Sequence, residues 1–116
     1  MFELQHLNDI LVMKVSGELG FRNVRQFDSV LNLALRDDIG RVVLDFSSLA
    51  HIDYKLVPHL LERMIEIQCQ GGQLKLAGMS EYVLNILKAM GFEEEMYPSV
   101  ADAVISFAPV GQDKWQ

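Results

Sequence analysis

The chain has 116 residues, which is the size of one domain with its own hydrophobic core. Half of the residues are hydrophobic and 22% are charged, so disorder is excluded as the main state. Sixteen acidic against ten basic residues give a net charge of −6 with no basic run, which argues against nucleic acid or an anionic membrane as partner.

The single Cys69 cannot form an internal disulfide. No apolar run approaches the ~20 residues of a membrane-spanning helix. The stretch MFELQHLND has acidic residues and no apolar core, so it is not expected to be a signal peptide, and the expected location is cytoplasmic.

Residues 2–7 alternate weakly, Asn8-Asp9 is a turn pair, and residues 10–16 are β-branched and apolar at period two. Together they predict an antiparallel hairpin closed by Gly17. Residues 21–37 change period: Val24, Phe27, Val30, Leu31, Ala34 and Leu35 form the stripe of an amphipathic helix, and Arg22, Arg25, Asp28 and Asn32 take the other face. Residues 41–46 (RVVLDF) suit a buried strand.

A second helix is expected over 55–69, with Val57, Leu60, Leu61, Met64, Ile65 and Gln68 on one face, Pro58 in its first turn and Gly71-Gly72 at its end. Residues 73–77 (QLKLA) alternate, predicting a strand with one wetter face. Ser80 caps a third helix carrying Val83, Leu84, Leu87 and Met90, ended by Gly91. Residues 94–97 are too short to assign, residues 99–107 form a last helix, and 108–116 form a polar tail expected to fray. The order β-β-α-β-α-β-α-α predicts a single α/β domain over 1–107. Its mixed sheet has four to five strands with an N-terminal hairpin and about four helices packed on it.

Chemistry-bearing patterns are sparse. His6, His51 and His59 are scattered, and no Cys-x-x-Cys or His-x-x-x-His pair occurs, so no metal and no cofactor is expected. Cys69 has no basic activator and reads as a passive, half-buried thiol. No Gly-x-Ser-x-Gly elbow and no Walker sequence occurs, and no enzyme is expected. Glu93-Glu94-Glu95 reads as a solvated loop, with a docking patch as its alternative, and the methionines read as core filler. One segment stands out by position. After Asp45-Phe46-Ser47-Ser48, a short apolar return with Leu49 and Ile52 leads to Asp53 at a helix entry. Asp53 can cap that helix. Such strand-to-helix turns are also where open α/β folds place ligands and partners.

These residues resemble the STAS domain, the module of bacterial anti-sigma-factor antagonists and of sulfate-transporter tails. The resemblance runs from residue 2 to about 107. Gly17-Glu18-Leu19 resembles the family's G-E-L-D, and Val42-Val43-Leu44-Asp45-Phe46-Ser47 resembles V-V-L-D-L-S. Ile52-Asp53 resembles the opening of I-D-S-S-G-L-G. Gly71-Gly72-Gln73-Leu74, Gly78-Met79-Ser80 and Leu87 with Gly91-Phe92 resemble G-G-x-L, G-V-S and L-x-x-x-G-L.

The resemblance implies a non-enzymatic antagonist that binds an anti-sigma factor of the kinase-like ATPase type. That kinase phosphorylates a Ser or Thr of D-S-S-G and is thereby released. Here the motif falls on Asp53-Tyr54-Lys55-Leu56, with Lys55 at the phosphorylated position and Pro58 in place of a glycine. Gly20 replaces the Asp after G-E-L. Lysine has no hydroxyl, so the usual phospho-switch is expected to be absent.

The expected partner surface comprises Asp53, Tyr54, Lys55, Leu56, Val57 and His59, with Asp45, Gly78 and Ser80 in structural roles. Tyr54 is the type of residue enriched at interface hot spots. Three other readings stay open. One is a cytoplasmic subunit docking on the ATPase of a lipid-trafficking ABC transporter. Another is a sensor of a nucleotide or acyl chain. The last is a homodimer formed through apolar residues near Val57 or on the last helix.

Overall fold

In the computed structural model, which describes residues 2–36 and 40–107, the hairpin forms where the alternation places it. Strands β1 (Phe2–Leu7) and β2 (Ile10–Val15) pair antiparallel across a two-residue turn. Asn8 supplies the left-handed φ of 58° that such a turn demands. A short β3 (Gly17–Leu19) leads to helix α1 (Val24–Arg36), β4 (Arg41–Asp45) and β5 (Leu49–Ile52). One 3-10 turn at Tyr54–Leu56 then runs into α2 (Val57–Cys69). The chain continues through β6 (Gln73–Ala77), α3 (Glu81–Ala89), β7 (Met96–Tyr97) and α4 (Val100–Phe107).

The main sheet has the order β1-β2-β4-β6-β7, parallel except for β1, and β3 pairs with β5 in a separate parallel ribbon. Alternation along the central strands divides two apolar clusters. Met13, Val42, Leu44, Leu74 and Leu76 face the larger one, with Phe27 and Leu31 of α1, Leu60, Met64 and Ile67 of α2, and Val83 and Leu87 of α3. Val12, Val43 and Ala77 face the smaller one, under Ala103 and Phe107 of α4. Three helices therefore cover one face and a single short helix covers the other.

Several expectations need correction. Gly17 opens β3 and does not close β2. Strands β3, β5 and β7 span three, four and two residues, too few for a period to show in sequence. They exist because a distant strand completes their hydrogen bonds. The first helix begins at Val24, after turns over 21–23. On α2, Ile67 takes the core position and Ile65 is exposed, as is Gln68. The expected wet face of β6 is dry: Lys75 is 5% exposed, because α4 lies over it. Cys69 is exposed, not half-buried. The expected tail 108–116 and the last residue of the expected 21–37 helix lie outside the described residues. Among the described residues no helix is long and apolar enough to cross a membrane.

Candidate functional site

The ribbon of β3 and β5 carries two loops to one end of the molecule. Because the strands are parallel, their C-terminal ends lie side by side and deliver Gly20-Phe21 and Asp53-Tyr54-Lys55 together. The Asp53 amide donates to the Leu19 carbonyl at 2.9 Å, which fastens one loop to the other. Asn23 braces the first loop: its Oδ1 accepts from the Gly20 amide at 2.9 Å, and its Nδ2 donates to the Glu18 carbonyl at 2.7 Å.

In the second loop, Asp53 is extended and its carboxylate accepts from the Lys55 amide at 3.0 Å. It thus caps the 3-10 turn rather than α2 itself, whose own first residues follow Leu56 with no side-chain cap. The Lys55 ammonium turns back over the Tyr54 ring, 5.9 Å from its centroid.

The expected partner set divides. Tyr54 and Lys55 are exposed, and Asp53 is partly covered by its capping role. Leu56 and Val57 are 4% and 0% exposed and belong to the larger core cluster, so neither offers its side chain to a partner or to a second copy. His59 is engaged internally: its Nε2 sits 2.9 Å from both carboxylate oxygens of Asp28 on α1. The residues with expected structural roles lie on the same side of the sheet's C-terminal end. The Asp45 carboxylate accepts from the Ser47 amide at 2.9 Å, Gly78 packs against that turn, and the Ser80 hydroxyl accepts from the Val83 amide at 3.2 Å.

Three further residues complete the surface. Phe21 follows β3, His51 lies on β5, and Tyr82 lies in the first turn of α3. His51 Nδ1 and the Tyr82 hydroxyl are 2.8 Å apart, and the two rings stack at 5.7 Å and 28°. Phe21, Tyr54 and Tyr82 are 62%, 56% and 54% exposed, and among the described residues they are the exposed large aromatics. Phe21, His51 and Asp53 line a cleft of about 540 Å³. Sequence reasoning missed Phe21, His51 and Tyr82 as members. The signal present was an aromatic beside a turn glycine at Phe21 and another just inside a capped helix at Tyr82, both wasteful positions for a ring needed in a core.

Among the described residues no group of three His, Cys, Asp or Glu side chains is placed to hold a metal ion. His51 and His59 each have a separate partner. The site offers rings, the cations Arg22 and Lys55, and a braced loop. That arrangement suits the contact surface of another macromolecule.

The family model for the STAS domain matches residues 1–103. A comparison with curated protein sequences returns no match. Among solved structures, the anti-sigma factor antagonist SpoIIAA in its unphosphorylated form is similar, with a TM-score of 0.79 at 22% identity over 92% of this chain and 96% of that one. A putative anti-sigma factor antagonist from Thermotoga maritima gives 0.82 at 19% identity over 90% and 92%. The murine anion transporter Solute Carrier 26 family member A9, in its inward-facing state, gives 0.71 at 21% identity, over 88% of this chain and 18% of that one. At these identities the likeness is one of fold.

Proposed function

The chain belongs to the STAS domain family, and from that membership we propose that it is a non-enzymatic regulatory adaptor, docking on a partner protein through Tyr54, Lys55 and the rings beside them. The observation that carries this is the exposure of Phe21, Tyr54 and Tyr82 around one loop pair that backbone hydrogen bonds hold in place. Burial of such rings yields roughly 25 cal/mol per Å² of apolar surface removed from water. Tyrosine keeps a polar edge, which suits a surface that is wet when free and covered when bound.

By the resemblance of Ile52-Asp53 to the family motif, Lys55 takes the place of the phosphorylated serine, and it has no hydroxyl. Phosphorylation would place about −1.5 to −2 charges at that position. Lys55 holds a positive charge there instead, so on this reading phosphoryl transfer does not switch docking at this residue. The partner on this reading is a cytoplasmic regulatory protein, an anti-sigma factor or a kinase-like ATPase.

The test is capture of partners by the tagged protein from lysate of its source cell, with and without ATP, identified by mass spectrometry. The affinity of the identified partner is then measured for the wild type and for Tyr54→Ala/Lys55→Glu. The expected result is a kinase-like ATPase or sigma-factor regulator, bound equally with and without ATP, with affinity lowered at least about tenfold by the double substitution. Recovery of an ABC-transporter ATPase would make the chain a docking subunit of a transport machine. Unchanged affinity in the double variant would refute the surface.

A further inference from the structure

Strand β1 is the outer strand of the main sheet. Its two-residue turn makes Leu7 and Ile10 the closing hydrogen-bonded pair. Alternation from there turns the backbone groups of Leu7, Gln5 and Glu3 toward β2 and those of His6, Leu4 and Phe2 outward, where the described residues provide no strand to meet them. Monomeric proteins guard such an edge with lysine, proline or a bulge. Residues 2–7 contain neither lysine nor proline, their one charged residue is Glu3, whose backbone faces β2, and their register with β2 is unbroken.

The side chains on this strand also end in the open. Across the helix-covered face runs one row, Leu76–Leu44–Met13–Leu4, set by the strand register. The first three members are 0% exposed and Leu4 is 50% exposed. On the opposite face a row of alternating charge, Asp45–Lys14–Glu3, ends at the same edge.

We infer that β1 is a pairing edge for a second copy of this chain, joined antiparallel about a two-fold axis at Leu4. An axis normal to the sheet is the operator that reverses strand direction and keeps the helix-covered faces on one side. Centred on Leu4, it uses all three outward-facing residues. Leu4 meets Leu4 of the second copy, which makes the apolar row continuous through both molecules. Phe2 meets His6, and Glu3 meets the neutral Gln5, so no like charges oppose each other at this edge despite the net charge of −6. The two sheets become one of ten strands, twice the five of a single copy. This surface is separate from the Tyr54 loop and stands or falls without it.

A six-residue edge belongs to the small, weak class of interfaces. Association is therefore read by sedimentation velocity from about 10 μM to 1 mM. The wild type is expected to dimerise with concentration, and Leu4→Lys, which sets two cations across the axis, to remain monomeric with an unchanged melting temperature. In a Cys69→Ser background, Leu4→Cys is expected to form a covalent dimer on mild oxidation, since hydrogen-bonded antiparallel partners lie about 5.5 Å apart at Cα, within disulfide reach. Ile65→Cys in the same background is the exposed control and is expected not to. A wild type that stays monomeric to 1 mM, a dimer that survives Leu4→Lys, or equal cross-linking at Ile65→Cys would each overturn the inference.

Discussion

Gly78 takes φ +76°, and a Cβ there would lie 3.2 Å from the Ser47 Cβ and 3.4 Å from an Asp45 carboxylate oxygen. Strain and crowding act together at this residue, so Gly78→Ala should cost about 1–3 kcal/mol, read as a lower urea midpoint. The residues of the proposed docking surface behave differently. Tyr54 and Lys55 are exposed and make few internal contacts, so their double substitution should leave the urea midpoint within about 0.5 kcal/mol of wild type while lowering partner affinity. At this scale, what could be read in sequence followed locality. Asp53 and Ser80 bond to amides two and three residues on, and their residue types announce it. His51 meets Tyr82 across 31 positions, and no local pattern encodes that meeting. The same holds for Leu56, which the turn before α2 points inward, whereas the burial of Val57 follows the apolar stripe of the second helix.

Between elements, the polar face of α1 is not a solvent face throughout. Asp28 and Asn32 meet His59 and Arg63 of α2, which lie 31 residues on in both cases. Arg63 is anchored by Asn32 at 2.5 Å and Glu66 at 3.0 Å, its Nε is 3.6 Å from Asp28, and its side chain is 12% exposed. Among the described residues, that Nε is a buried polar atom with no hydrogen bond, so the nearby carboxylate matters to it electrostatically. Asp28→Ala should therefore cost about 1–3 kcal/mol. Adding Arg63→Met should cost less than the sum of the singles, with a coupling of at least about 0.5 kcal/mol in a double-mutant cycle read by denaturant unfolding. The amphipathic stripe of α1 was plain in the sequence. Its polar side gave no sign of being half covered, because a charged face reads the same against water as against a neighbouring charged face.

For the whole molecule, the sheet's two faces are covered unequally, and Lys75 lies where the thinner cover is fixed. Its ammonium donates to the Ser106 hydroxyl at 2.6 Å and the Tyr97 hydroxyl at 3.3 Å, lies 4.3 Å from the Phe107 ring centroid, and is 3.7 Å from Glu95. Its carboxylate partner is partly solvated, so an apolar side chain of similar length leaves no buried charge behind. Lys75→Met should keep stability within about 1 kcal/mol, whereas Lys75→Glu should lose about 3–5 kcal/mol by setting a second carboxylate beside Glu95, both read as shifts in the urea midpoint. The sequence by itself determined the class of this protein: the hairpin, four helices, the long central strands and the Asp53 cap all arise from periods and caps that act within a few residues. The tertiary structure alone decided which side of Gln73–Ala77 is dry, that His51 stacks on Tyr82, and that Leu4 ends an otherwise buried row at an open edge. Those properties depend on what lies across a sheet or beside a helix, and chain neighbours carry no record of it.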